Sequence, residues 1–421
     1  MDQAGRIEVV RELCSFEGRG PGTDAERRAA NMLAARLRRI GRPARVEPFL
    51  CHPQYPIVHL IHAALGIVGS LLATVQPAIG FALVLLAAVS TYLDLNTRLY
   101  LARSLLFRRV SQNIVSPGDR PEAPARLVLM AHYDAARTGY IFSKASARIR
   151  RLPERIRLGL GPFRLFFWLG LAPLLPMIGA RMAGVDATWL SALQAIPTIV
   201  LIVAAFLLID IALSEIVPGA YDNASGVAAL LSAAVDLTAN PPDNLDVWVV
   251  LTGSEESFCE GSRAFVRAHR KQLDRATTAF VNVDSVSYGG VAYEVSQGAV
   301  ISLPHDPQLI ELCEALSTAG AADARPIRHP LLDDAFPPRV RRLRAITIRT
   351  TDADGNLAPW YHTRDDVPER VDGEALRRAT EFVVSLTRLL DREAGRPAPA
   401  AASGTSPAGS ASRAAAAGDR V

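Results

Sequence analysis

The amino-acid sequence predicts an α/β fold in which a mostly parallel, mixed sheet is flanked by helices and interrupted by two inserted apolar helical hairpins. Three observations lead to this prediction. After residue 217, short apolar strands alternate with helical segments, which is the pattern of a covered, largely parallel sheet. Two pairs of long apolar runs lie at 57–95 and 163–213. Histidines and acidic residues directly follow several of the predicted strands.

The composition limits the classes of function. Hydrophobic residues make up 49% of the 421 residues, whereas the net charge is only +4, so a nucleic-acid partner is not expected. The four cysteines are scattered without C-x-x-C spacing, which argues against a disulfide framework or a zinc-thiolate site. The first residues contain no apolar core, so we expect no secretory signal peptide.

The first elements are a helix, a break and a second helix within residues 6–40. Thr23 is placed to cap the second helix and Gly41 to end it. An alternating stretch at 44–49 predicts a strand.

Two hairpins then differ from the rest in their apolar length. The first consists of runs 57–75 and 78–95, and the second of runs 163–178 and 189–213. Each run is close to the roughly 20 residues that cross a bilayer, so we expect two transmembrane hairpins. A buried hairpin in the core is the alternative for the first pair. The second pair contains prolines, which membrane helices tolerate.

The remaining elements alternate between strand and helix. Strands are predicted at 112–115, 126–131, 246–251, 277–283 and 345–350, and helices at 225–237, 261–269, 307–316 and 372–392. The predicted organisation is one catalytic domain interrupted by two hairpins. Its N-terminal part is at 1–50, hairpin 1 at 51–97, a segment with the first site residues and a basic linker at 98–161, hairpin 2 at 162–214, the domain core at 215–395, and a disordered tail at 396–421.

Five short segments carry polar side chains, most of them just past predicted strands. They contain His132 with Asp134, Asp222, Glu255 with Glu256, Asp284, and His362. Because ligands gather outside the carboxyl ends of strands in open α/β sheets, we expect these residues to converge. Two imidazoles and three or four carboxylates are donors that suit zinc, cobalt or manganese. Five ligands with one shared carboxylate supply three donors to each of two metals.

Asp222 is the best candidate for the shared carboxylate, because it begins a tight Asn-Ala-Ser-Gly turn. Neighbouring side chains of an extended chain point to opposite sides, so one of Glu255 and Glu256 can bind metal while the other acts as general base. Asp134 is placed to orient the His132 imidazole. Each segment alone has an ordinary structural explanation; their joint occurrence at strand ends favours a metal site.

These motifs resemble the di-zinc aminopeptidase family of clan MH, whose relatives include the glutamate carboxypeptidases and the transferrin-receptor ectodomain. The similar segments are Arg-Gly-Pro-Gly-Thr at 19–23, Ala-His-Tyr-Asp at 131–134, Gly-Ala-Tyr-Asp-Asn-Ala-Ser-Gly at 219–226, the Glu255-Glu256 pair, and Tyr-His-Thr-Arg-Asp-Asp at 361–366. The resemblance covers 6–50, 111–140 and 217–393, which is most of the chain outside the apolar hairpins.

The resemblance implies a membrane-embedded zinc metallopeptidase of the aminopeptidase type, with two Zn²⁺ ions, or Co²⁺ or Mn²⁺ in their place. It assigns His132 and Asp284 to one ion, Glu256 and His362 to the other, and Asp222 to both. It also implies that Glu255 is the general base, that Asp134 and Asp366 support ligands, and that Trp360 and Tyr361 shape the cleft.

The sequence departs from the family in two respects. The apolar hairpins lengthen the connections on either side of the first site residues. In addition, Glu255-Glu256 is followed by Ser-Phe-Cys-Glu-Gly, where small apolar residues are commoner. Because of the second departure, the family pattern does not define the specificity pocket of this chain.

Three other functions are alternatives to a peptidase. A catalytically silent receptor has no need of a complete ligand set, and a glutaminyl-cyclase-like acyltransferase uses a single zinc. A transporter that uses Asp210 would have few spans. We therefore expect a peptide or aminoacyl substrate and a lipid bilayer as partners, while the natural substrate and the oligomeric state stay open.

Arginines lie close to the hairpin ends on the side of the catalytic domain, and the turns within the hairpins are poor in charge. An excess of Lys and Arg near helix ends marks the cytoplasmic face. The sequence therefore predicts a multi-pass cell-membrane protein whose catalytic domain and both termini are cytoplasmic.

Overall fold

The computed structural model describes residues 1–146, 161–320 and 323–396. Most of the basic stretch at 148–164 lies outside these residues. The tail that was expected to be disordered also lies outside them from residue 397 onward.

A nine-stranded sheet forms the centre of the α/β domain. Its strands are β1 (Arg45–Cys51), β2 (Arg109–Ser116), β3 (Ala125–His132), β4 (Leu245–Thr252), β5 (Thr278–Val283), β6 (Gly290–Gln297), β7 (Leu303–Pro304), β8 (Arg325–His329) and β9 (Arg344–Thr351). The strand order is β1-β2-β4-β3-β5-β9-β6-β7, and β8 pairs with β6. The central strands β4, β3, β5 and β9 are mutually parallel, whereas β1 and β2 pair antiparallel at one edge.

Alternation of side chains along the central strands builds two hydrophobic layers. On β3, Leu127 and Leu129 belong to one cluster, whereas Val128 and Met130 belong to the other. Both sets are fully buried, so each face of the sheet must be covered. This arrangement confirms the predicted α/β fold with a mixed, helix-flanked sheet.

Helices cover the sheet and continue from it into the apolar hairpins. They are α1 (Gln3–Cys14), α2 (Asp24–Arg39), α3 (Tyr55–Leu72), α4 (Pro77–Leu95), α5 (Pro162–Met182), α6 (Thr188–Leu213), α7 (Ser225–Ala239), α8 (Glu260–Ala268), α9 (Pro307–Thr318), α10 (Phe336–Val340) and α11 (Gly373–Ala394). The Thr23 hydroxyl caps α2, as predicted, by accepting from the Glu26 backbone N–H at 3.2 Å.

The four helices α3 to α6 are long and apolar enough to cross a membrane. They pack into one bundle, and hydrogen bonds join the two hairpins, for example between the hydroxyls of Ser70 and Thr198 at 2.7 Å. Large apolar side chains on the outside, such as Leu71, Ile196 and Phe206, are 60–69% exposed. A belt of exposed apolar side chains is compatible with contact to lipid.

The principal difference from the expected elements lies between 290 and 329. This segment contains β6, β7 and β8, none of which the sequence pattern indicated. β8 includes Pro326 and two arginines, and it pairs only with β6 within the described sheet. A strand at a sheet margin tolerates such residues, and they conceal it in the sequence.

Candidate metal centre

The carboxyl ends of four parallel strands meet at one edge of the sheet, and the candidate residues lie there. His132 is the last residue of β3, and Asp284 directly follows β5. Glu255 and Glu256 follow β4, and His362 lies in the loop after β9. Because β3, β4, β5 and β9 run in the same direction, their ends bring sequence-distant side chains together.

Asp222 lies at the centre of these side chains. Its Oδ1 is 3.1 Å from Nε2 of His132, and its Oδ2 is 2.8 Å from Nε2 of His362. Two sets of three donors, each within 4.8 Å of one another, share this carboxylate: His132, Asp222 and Asp284, and Asp222, Glu256 and His362. The structure thus brings together all five residues that were expected to bind metal.

The backbone around Asp222 is fixed by Asp366 and Asn223. The Asp366 carboxylate accepts from the N–H groups of Tyr221 at 2.6 Å and Asp222 at 3.1 Å. The Asn223 side chain donates to the Val283 carbonyl at 3.0 Å, which ties Asp222 to the end of β5. Through these two backbone N–H groups, Asp366 supports a candidate ligand. Burial raises the pKa of Asp366 to about 8.

Glu255 and Glu256 lie in a turn, which we call the glutamate loop (residues 254–259). Three of its residues, Ser254, Phe258 and Cys259, have φ values of 53°, 68° and 56°. β4 ends at Thr252, so the pair lies beyond the strand, in a segment where the backbone turns. The alternation of side chains along β4 therefore does not by itself set the directions of the two carboxylates.

Asp134 makes its closest contacts to this loop. Its two oxygens accept from the backbone N–H groups of Glu255 and Glu256, each at 3.0 Å. Its distance to Nδ1 of His132 is 3.5 Å, and that nitrogen has no hydrogen-bond partner among the described residues. The contact of Asp134 with the His132 imidazole is thus weaker than expected. Asp134 mainly holds the glutamate loop.

The charges at the site suit a divalent cation. Burial raises the pKa of Glu255 well above its usual value. Burial and the negative charges of Asp222 and Glu255 do the same for Glu256. Burial lowers the pKa of His132, but the charge of Glu255 and the contacts to Asp134 and Asp222 raise it overall. The carboxylates outnumber the imidazoles, and the buried Oε1 of Glu256 has no hydrogen-bond partner among the described residues. A bound cation would offset this excess of buried negative charge.

Two contributors to the site were missed. Phe142 lies against the His362 ring at 4.7 Å between centroids, and Tyr361 stacks on the same ring at 3.9 Å. Arg349 is buried 3.6 Å from Asp284 and also contacts Glu294 at 2.5 Å. An arginine within a largely apolar predicted strand could have indicated a role for Arg349. Nothing in the sequence indicated a role for Phe142. Trp360 packs against Tyr288 at 5.2 Å.

A cleft lies beside Glu256 at the junction of the α/β domain and the hairpins. It is lined by Tyr55 at the start of α3, Ile216 just after α6, and the arginines Arg109 and Arg137. The cleft therefore lies next to the ends of both hairpins.

Comparisons with known proteins agree with this fold. The model of Peptidase family M28 matches residues 207–387, which include all five candidate ligands except His132. Aminopeptidase YwaD of Bacillus subtilis is 27% identical over 173 residues, an alignment that spans 40% of this chain and 37% of that relative.

Solved structures share the architecture at low sequence identity. A zinc aminopeptidase from Bacillus subtilis has a TM-score of 0.54 at 14% identity and covers 92% of this chain and 94% of its own. A glutaminyl cyclase from Bacteroides thetaiotaomicron has a TM-score of 0.52 at 16% identity, with 92% and 97% covered. The resemblance that the motifs indicated is confirmed by these matches.

Proposed function

We propose that this chain, which is similar to the di-zinc aminopeptidase-like family, is a membrane-embedded zinc aminopeptidase that hydrolyses the N-terminal peptide bond of its substrate. The observation that carries the proposal is the Asp222 carboxylate, whose two oxygens face two different imidazoles within two overlapping sets of donors. Sharing of one carboxylate is the arrangement expected of a two-metal hydrolase.

In this proposal His132, Asp222 and Asp284 hold one zinc ion, and Asp222, Glu256 and His362 hold the other. Bound zinc would polarise the scissile carbonyl and make a water molecule more acidic. Glu255 takes the proton from that water at its carboxylate and delivers it to the leaving amine. Its position supports this role, since its Oε2 lies 3.9 Å from Nε2 of His132, in the midst of the donors.

Other residues of the chain orient these groups. Asp366 fixes the backbone of Asp222, and Asp134 fixes the two glutamates through their N–H groups. Phe142 and Tyr361 restrain the His362 ring and shield it from water. The aromatic contacts also reduce the local polarity, which strengthens electrostatic interactions with a substrate.

We further propose that α3 with α4 and α5 with α6 span the membrane as two hairpins, and that the catalytic domain lies on the cytoplasmic side. A hairpin returns the chain to the side from which it came. Two hairpins therefore leave His132 and Asp222 on the same side of the membrane, as their 3.1 Å contact requires.

The second candidate is a glutaminyl-cyclase-like acyltransferase, because glutaminyl cyclases share this fold. Such an enzyme would need one zinc ion, whereas two of the donor sets here share Asp222, which suits a pair of ions. A catalytically silent receptor is a third candidate, although it has no use for a complete donor set with a neighbouring carboxylate such as Glu255.

Activity of the full chain in lipid nanodiscs distinguishes these functions. We expect release of the anilide from a panel of aminoacyl-anilides, loss of this activity with a zinc chelator, and recovery on adding zinc. N-terminal acetylation of the same substrates should abolish cleavage if the enzyme requires a free α-amine. Cyclisation of an N-terminal glutamine with release of ammonia, without anilide hydrolysis, would instead identify the acyltransferase. No turnover of either substrate by a zinc-loaded protein would favour the receptor.

A further inference from the structure

The glutamate loop also contacts the apolar hairpins. The Phe258 ring lies among three aromatic rings, those of Tyr55 at 5.1 Å, His59 at 5.3 Å and Phe163 at 5.0 Å between centroids. Tyr55 and His59 belong to α3, and Phe163 belongs to α5. A side chain two positions after Glu256 is therefore inserted between the two hairpins.

A buried ion pair makes a second connection. Arg103, which follows α4, donates to the carbonyl oxygen of Ser257 at 2.7 Å. The same guanidinium binds both oxygens of Asp94, in the last turn of α4, at 2.7 and 2.9 Å. The side chains of Arg103 and Asp94 are fully buried. A bidentate pair of this kind fixes direction as well as distance, so α4 determines where the Ser257 carbonyl lies.

Glu260 extends this connection to the start of the first hairpin. Its Oε2 accepts from the His52 N–H at 2.6 Å, and its Oε1 lies 2.9 Å from Nδ1 of His52. Glu260 also accepts from the Ser257 hydroxyl at 3.2 Å and lies 3.6 Å from Arg103. The chain that enters the hairpin and the chain that leaves it thus meet at the end of the glutamate loop.

The backbone of the loop needs such support. Positive φ values at Ser254, Phe258 and Cys259 are unfavourable for residues with a side chain and persist when the surroundings hold them. On the domain side, Asp134 and Glu26 bind the N–H groups of residues 254–256. On the hairpin side, Phe258 and Arg103 hold residues 257 and 258. The two carboxylates therefore lie between two sets of contacts.

We propose that the hairpins are a structural part of the active site, in which Phe258, Arg103 and Asp94 are positioning residues for Glu255 and Glu256. This inference rests on the proposed function, since it assumes that both glutamates take part in hydrolysis. It also explains the unusual Ser-Phe-Cys-Glu-Gly sequence after the glutamates, because Phe258 and Glu260 are the residues that reach the hairpins. A simple anchor would need none of these contacts.

The first test compares two phenylalanines of the same bundle in the full chain in nanodiscs. Phe258→Ala removes the ring between the hairpins. Phe167→Ala removes a buried ring of the bundle that contacts Tyr92 and Trp168 and, among the described residues, has no ring contact with the glutamate loop. We expect Phe258→Ala to lower kcat by about 10- to 100-fold, as for a small displacement of catalytic groups, with little change in KM. Phe167→Ala should leave kcat within about two- to threefold of the wild type, and Phe258→Leu should recover most of the loss.

Hydrogen–deuterium exchange of a peptide that spans 254–262 gives a readout independent of turnover. Exchange in this peptide should increase in Phe258→Ala and stay at the wild-type level in Phe167→Ala. Equal changes in both variants, or none in either, would overturn the proposal. If the wild type cleaves no substrate, the proposed function fails, whereas the exchange comparison still decides whether the hairpins hold the loop.

The ion pair is tested by Asp94→Asn, Arg103→Gln and the double variant. Because the two residues act as a unit on the Ser257 carbonyl, the double variant should lower kcat no more than the worse single variant. Fully additive losses in kcat would contradict joint positioning. The increased exchange of 254–262 should follow the same non-additive pattern.

Discussion

Asp134 offers a sharp test of how the glutamates are held. Its carboxylate is fully buried and accepts from two backbone N–H groups, those of Glu255 and Glu256. A hydrogen bond to a charged group contributes about 1.5–3 kcal/mol, so Asp134→Ala should cost about 3–6 kcal/mol. That loss is a large part of the roughly 5–15 kcal/mol that stabilises a typical domain, so the alanine variant risks unfolding.

Asp134→Asn is therefore the informative change. It keeps one acceptor oxygen and turns an amide N–H₂ toward the second N–H, which loses one bond of about 1.5–3 kcal/mol. We expect kcat to fall by about 10- to 100-fold, because a misplaced Glu255 no longer reaches the water. The apparent melting temperature should also fall by several degrees. The control is Asp236→Asn, which removes the carboxylate from a half-exposed ion pair with Arg388 and should change neither value appreciably.

The measurements are steady-state kinetics, a thermal scan, zinc content and hydrogen exchange of the glutamate loop. Wild-type kcat and stability in Asp134→Asn would refute the reasoning. Loss of zinc without increased exchange in the loop would show instead that Asp134 acts through the His132 imidazole, which is 3.5 Å away.

Three further predictions concern the base, pH and membrane sidedness. Glu255→Gln should retain zinc but lower kcat by about 10²–10⁴-fold, whereas Glu256→Gln should lose zinc; swapped outcomes, read by metal analysis and kinetics, would reverse the two roles. Burial, and then the charge of Asp134, raise the pKa of Glu26 from 4.5 to about 8, so its stabilising contribution is full below pH 4.5 and is lost as the pH rises through 8. In Glu26→Gln the melting temperature should therefore fall less between pH 4.5 and 8 than in the wild type. An equal fall in both proteins would contradict the raised pKa of Glu26. Reporter fusions after Arg396 should be active only in the cytoplasm; an active periplasmic reporter would reverse the orientation and leave the two hairpins intact.

Local signals explain why much of the fold and the site could be predicted. The cap at Thr23, the length of the apolar runs and the polar residues at strand ends all depend on short stretches of sequence. The convergence of donors around Asp222 was predictable from strand direction, because parallel strands end at a common edge. The residue pattern therefore predicted which segments converge, whereas the choice of Glu256 over Glu255 as a ligand came from the family resemblance.

The features that were missed depend on tertiary contacts. β6 and β8 have no clear alternation that distinguishes them from a loop. Asp134 was expected to serve His132, two residues away, but the turn after β4 brings the N–H groups of Glu255 and Glu256 closer. Phe258 departs from the family pattern, which marked the position as unusual. Its contacts could not be predicted, because its partners lie in helices about 95 to 200 residues earlier in the chain.

Zinc content is the measurement that tests the central claim most directly. The full chain, purified in lipid and dialysed against metal-free buffer after loading, should contain about two zinc ions per chain by mass spectrometry. Asp222→Ala should lose both, because both sets of donors share that carboxylate. Wild-type protein without stoichiometric zinc, or an Asp222→Ala variant that folds and keeps two ions, would contradict the proposed metal centre.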